Sequence, residues 1–180
     1  MEQSSVDSFR SSMIRQYRNT VPSTVITNTT AETAFDVFPT IRANTLKVGS
    51  VVDFHFYGIY STDVIAPTLI GRARFGGLSG VLALSTGTLS TLVGNLSDFG
   101  FFAQGRFLCR TIGATGTLEC QGFTSLQTAV GLGLATHMPN SAVITVDTTV
   151  DAALVATLQM GTASPNNKFQ ARILTVDIWE

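Results

Sequence analysis

Charge is what this sequence has least of. Asp, Glu, Lys and Arg make up 13% of its 180 residues, about half of the roughly 25% found in an average soluble domain. Eleven Lys and Arg stand against twelve Asp and Glu, a formal net charge of −1 with histidine neutral. A protein that coats nucleic acid needs a basic face, and this charge balance argues against one. A disordered chain couples low hydrophobicity to high net charge; here 44% of residues are hydrophobic and net charge is near zero. Cysteine is scarce. Cys109 and Cys120 alone build neither a disulfide framework nor a four-cysteine zinc site. Long apolar runs are missing too. The blandest stretch, Ala129–Ala135, falls far short of the ~20 residues a bilayer requires, so no membrane partner is expected. The first twelve residues carry acids where a signal peptide has bases, and they lack a hydrophobic segment. Synthesis and use in a cytoplasm is the corresponding expectation. The length suits one domain. An apolar, weakly charged, soluble chain is explained if other subunits cover much of its surface.

What is present is β-forming. The chain has 25 threonines and 16 glycines, the composition of strands and turns. Thr24–Thr27 and Ala34–Phe38 read as short strands, the second closed by Pro39. Val51–Tyr60 alternates, with Val52, Phe54, Phe56 and Tyr60 on one face and Asp53, His55 and Tyr57 on the other. Leu69–Phe75 alternates likewise, with Arg72 and Arg74 outward, and Gly76-Gly77 turns the chain into Val81–Leu84. Phe101–Ile112 and Thr117–Thr124 form a hairpin about Gly113–Gly116. Ala142–Val146, Leu154–Met160 and Phe169–Trp179 complete the set. About eight or nine strands without helical crossovers predict an all-β, antiparallel, jelly-roll-like sandwich over residues 24–180.

Residues 1–23 read as an N-terminal arm. Val6, Phe9, Met13 and Tyr17, with Ile14 beside them, fall at helical spacing. A short helix is predicted, capped by Ser4 or Ser5, its stripe docked on a neighbour as an interface. Pro22 stops it before the sandwich begins.

Catalytic chemistry is hard to find. Asp53-x-His55 puts two metal-ligating types on one strand face, but a stable site needs more ligands, and none is near in sequence. Ser79 in Gly76-Gly77-Leu78-Ser79-Gly80 misses the G-x-S-x-G spacing by one residue. Gly113–Gly116 has no following Lys-Ser/Thr, so it is not a phosphate loop. Asp147 and Asp151 flank a turn. His137 reads as a loop residue. Arg72, Arg74, Arg106, Arg110 and Arg172 alternate outward on separate strands and could converge on one face. No enzyme, cofactor or metal is expected. Cys109 and Cys120 are symmetric about Ala114-Thr115, so a two-residue loop pairs them directly. Their Cβ atoms would then lie about 4.5–5.5 Å apart, long for a disulfide, and free thiols are expected.

Several segments resemble a group of tailed-phage structural proteins. These are Ile26–Thr33, Ala43–Val52, Tyr57–Thr62, Arg110–Gly116 and Met160–Asn167. The resemblance covers about residues 24–180 and rests on turn and strand signatures. It implies a jelly-roll-like sandwich and a virion location on the capsid surface. It further implies a role in decorating or cementing the capsid, as a homo-oligomer, a trimer, bound to the major capsid protein. A receptor- or glycan-binding tip of a head or tail fibre is the alternative; Tyr57, Tyr60 and Trp179 are its candidate contacts. The resemblance brings no catalytic residues.

Overall fold

The structure, a computed structural model, describes residues 13–90, 94–129, 132–140 and 142–180. In chain order the strands are β1 (Met13–Arg18), β2 (Ile26–Thr27), β3 (Thr33–Ala34), β4 (Thr40–Ile41) and β5 (Val51–Ser61). Next come β6 (Thr68–Phe75), β7 (Val81–Ser85), β8 (Leu89–Ser90), β9 (Phe99–Thr111) and β10 (Gly116–Ala129). The last are β11 (Leu132–Pro139), β12 (Ile144–Val146), β13 (Ala152–Met160) and β14 (Lys168–Trp179). No helix occurs among the described residues.

They form two antiparallel sheets. The eight-stranded sheet runs β1-β14-β5-β9-β10-β11, with β12 also on β10 and β2 also on β14. The six-stranded sheet runs β3-β13-β6-β7, with β4 also on β13 and β8 also on β6. The predicted antiparallel sandwich is therefore the fold. The strand count exceeds the expected eight or nine because β1 has helical spacing, and the two-residue β4 and β8, with β11, carry little sequence signal.

Alternation sets the core. Val52, Phe54, Phe56 and Tyr60 of β5 point inward with Phe107 and Cys109 of β9, Leu118 and Cys120 of β10, and Phe169, Leu174, Val176 and Ile178 of β14. Leu69, Ala73 and Phe75 of β6 and Leu154, Ala156, Leu158 and Met160 of β13 face them from the smaller sheet. Rings interlock there: Phe75 meets Phe107 edge-on at 5.2 Å, and Tyr60 stacks on Phe169 at 5.1 Å.

Three expectations need correction. The first concerns the arm. Met13–Arg18 is a strand, not part of a helix, and pairs antiparallel with β14 from Met13↔Trp179 to Arg18↔Thr175. The free edge of β14 offers a full ladder of backbone partners, whereas a short isolated helix is marginal in water. A bulge between Met13 and Arg15 re-aims the strand, so that Ile14 and Tyr17 pack on the chain's own core while Met13 stays exposed. Gln16 donates to Asp177 at 2.7 Å, and the Asn19 and Ser23 side chains bond the backbone of β14. Val6 and Phe9 lie outside the described residues.

The second is Ala34–Phe38. Only Thr33–Ala34 pairs, although Phe35 and Val37 are buried. Those two fill the core from a loop, so their alternation reports burial rather than pairing.

The third is the hairpin register. Cys109 sits opposite Leu118, and Cys120 opposite Phe107, because the register slips between Thr117 and Leu118. The turn Ile112–Thr115 is longer than two residues, and Gly113 adopts φ 110° within it. Both thiols are free and buried.

Candidate functional site

The outer face of the eight-stranded sheet carries a collection of polar and aromatic groups. Antiparallel register assembles it in rows. His55 of β5 lies opposite Gln104 of β9, which lies opposite Phe123 of β10, which lies opposite His137 of β11. The next row is Asp53, Arg106, Gln121 and Pro139, and on the other side come Ile173, Tyr57, Phe102, Ser125 and Ala135. A shallow groove of about 470 Å³ runs between the first two rows.

Two glycines make its floor. Gly105 and Gly122 pair with each other and face inward, between Phe54 and Met138. A Cβ on either would stand 2.6 or 2.7 Å from Leu84 Cδ1 of the opposing sheet. Their missing side chains let Leu84 press against the backbone of β9 and β10, and the groove lies over the same two residues on the outside.

Ring contacts steady the side chains in and beside the groove. Tyr57 rests on Phe102 with ring centroids 4.7 Å apart, and 43% of Tyr57 is exposed. His55 stacks on the same Phe102 at 6.5 Å, and His137 meets Phe123 edge-on at 5.8 Å. Arg106 bonds Asp53 through two guanidinium nitrogens, at 2.6 and 2.9 Å. That pairing raises the arginine's pKa and cancels the charge at this end of the groove. Among the described residues, the side chains of His55, Gln104 and His137 have no hydrogen-bond partner, and Gln121 makes one bond, to the Asn140 carbonyl.

Other candidates disperse. Asp53 and His55 do share the groove, but the described residues contain no cluster of three metal-ligating side chains. The five arginines do not converge. Arg72 and Arg74 lie on the outer face of the small sheet, where both grip Glu32 and Thr157 adds a hydroxyl bond at 2.5 Å. These bonds, Arg74's foremost, hold the Glu32 carboxyl below its ordinary range. Arg106 and Arg110 lie on the opposite side of the sandwich, with Asp53 and Glu119, and Arg172 sits by itself at a β14 bulge. Tyr60 is a core residue: its hydroxyl donates to the Gln127 carbonyl at 2.5 Å, and burial pushes its pKa up to about 12. Trp179 packs at the end of β14 between Met13 and Val51, with its indole N–H buried and unbonded. Asp147 accepts from Thr149, and Asp151 from Ala43 and Arg42, so both serve turns. Ser79 lies in the Gly76–Gly80 turn.

His137 is the residue that sequence reading misplaced. It is on a strand, because Leu134, Thr136 and Met138 turn inward in alternation while Ala135 and His137 turn out. Pro139 obscured the pattern; it is tolerated because β11 is the edge of its sheet.

No sequence family and no curated protein matches the chain. Among solved structures it is similar to a protein of unknown function from Shewanella oneidensis MR-1. Identity is 12%, over 91% of this chain and 77% of that one, with a TM-score of 0.39. It is also similar to a chain in the structure of infectious bursal disease virus, Gx strain. There identity is 12%, over 95% of this chain but 36% of the viral one, with a TM-score of 0.30. Likenesses at this level carry no argument about role.

Proposed function

We propose that this chain is a virion structural protein that decorates or cements a phage capsid, working without catalysis through contacts with its own copies and with the major capsid protein. The homotrimer is the form we assign to it. One observation carries the reading. β7 ends the six-stranded sheet, and Leu78, Val81 and Leu82, in the turn before it and at its start, are each 40–45% exposed. Soluble proteins blunt such edges with lysine, proline or a covering element, and Val81–Ser85 contains neither residue. The Ala83 carbonyl is already taken by the Asn140 amide at 2.9 Å, so contact here is by side chains more than by a new ladder. A neighbouring subunit that covers the three would gain about 25 cal/mol for each Å² of apolar surface, repeated at every symmetric copy. The low charge of the chain and its phage-like turn signatures support the same reading.

Size-exclusion chromatography with light scattering tests it, alongside binding to undecorated heads. The wild type should form one closed oligomer and attach to particles. The Leu82→Asp variant, checked for folding by its melt, should be monomeric and attach poorly. A wild type that stays monomeric and fails to bind heads would overturn the proposal.

A further inference from the structure

We propose that the groove over Gly105 and Gly122 is a binding site for a neutral oligosaccharide, a function separate from assembly and independent of it. The chemistry of the lining selects this ligand class. A sugar ring offers an apolar C–H face and a fringe of hydroxyls. Beside the groove, in the row next to His55 and Gln104, Tyr57 supplies an exposed aromatic platform, already fixed by its stack on Phe102, so little ordering is required on binding. Gln104 and Gln121 present carboxamides, each with donors and acceptors suited to paired hydroxyls. His55 and His137 present further ring nitrogens from opposite ends, each steadied against an aromatic ring. From β5 to β11 there are three interstrand steps of about 4.8 Å, some 14 Å in all, room for roughly two to three sugar rings.

The same groups argue against other occupants. Arg106 is the one Lys or Arg in the lining, and Asp53 pairs with it through Nε and Nη2, which leaves the pair with no net charge. An anionic polymer or nucleic acid therefore finds no unpaired Lys or Arg charge in the groove. A second copy of the chain would have to fit a convex feature into a concave floor lined mainly by amides, imidazoles and an ion pair. The exposed apolar cluster proposed above for self-association is at β7, on the other sheet.

The test uses the full chain, ¹⁵N-labelled, titrated with maltotriose, cellotriose and chitotriose and, separately, with a sulfated trisaccharide. At least one neutral sugar should shift the amides of His55, Tyr57, Gln104, Phe123 and His137 in a saturable way. Tyr57→Ala and Gln104→Ala should each weaken that binding by about tenfold. Both positions are exposed, so the variants should melt with the wild type; Leu82→Asp should bind as the wild type does. The inference is overturned if no neutral sugar shifts these amides, or if the sulfated sugar alone does. It is likewise overturned if both groove variants bind unchanged, or if the shifts follow protein concentration without sugar. Assembly is read separately by light scattering, so failure here leaves the capsid reading standing, and the reverse.

Discussion

A methyl group added at Gly105 would place a Cβ 2.6 Å from Leu84 Cδ1, 3.2 Å from Phe107 Cζ and 3.5 Å from Phe54 Cδ1. Leu84 is 1% exposed and cannot swing into solvent. Overpacking of this kind costs about 1–3 kcal/mol. Alanine also recovers about 0.5–1 kcal/mol that glycine forfeits inside a strand, so Gly105→Ala should lose about 0.5–2 kcal/mol net. Leu84→Ala alone should lose about 2–5 kcal/mol through lost burial and the cavity it leaves. It also removes the atom that the added methyl would strike. In the Leu84→Ala background, then, Gly105→Ala should be neutral or stabilising by up to about 1 kcal/mol. The cycle predicts a coupling of about 1–3 kcal/mol between the two positions. Urea unfolding of the four proteins reads it directly, and melts should follow at about 2–4 °C per kcal/mol for a chain of this size. If the two changes add to within about 0.5 kcal/mol, Leu84 does not press on β9, and the stated origin of the groove floor is wrong.

Further expectations concern charge, thiols and the N-terminal edge. Glu32→Ala removes the counter-ion of Arg72 and Arg74, whose side chains are 16% and 19% exposed and keep only neutral partners, Gln159 and the Gly80 carbonyl; breaking a buried pair costs about 3–5 kcal/mol, and partial exposure with these remaining bonds should reduce this to about 2–3 kcal/mol by urea unfolding. An unchanged midpoint would show that the pair is solvated. Because its folded pKa is depressed, Glu32 adds stability that is complete above its unfolded value of 4.5 and is lost as pH falls through the folded value. Melts at descending pH should therefore drop below about pH 4.5, and less steeply in Glu32→Gln; parallel curves would refute the assignment. Burial foremost, and then the Glu119 charge, pushes the Cys120 thiol up to about 12, and burial raises Cys109. A thiol reagent should find two groups after unfolding and react slowly before it; prompt reaction of the native protein would contradict this. Tyr17→Ser should destabilise the sandwich by about 1–2 kcal/mol, since the ring is half-buried on the core, whereas a detached arm would leave the melt unmoved.

How much of this was legible in the sequence follows from the range of each signal. Period-two alternation is local, so β5, β6, β9, β10, β13 and β14 stand out in the text, and with them the sandwich, its inner faces and the outward placement of Asp53, His55 and Tyr57. Low charge and scarce cysteine, equally local facts, set the expectations about partners and frameworks. Met13–Tyr17 shows where locality fails. Its spacing suits a helix, yet the backbone partners that make it a strand lie at Thr175–Trp179, more than 150 residues away. The groove is a tertiary product in the same sense. Gln104, Phe123 and His137 carry no signal in isolation, and only the registers of β5, β9, β10 and β11 set them beside His55 in one row. The hairpin slip at Thr117 moved the cysteines apart for the same reason, since register depends on the turn and on what both faces bury. Arg72 and Arg106 alternate identically in their own strands. They end on opposite sides of the molecule because β6 and β9 belong to different sheets, which only the packing of one sheet on the other could decide.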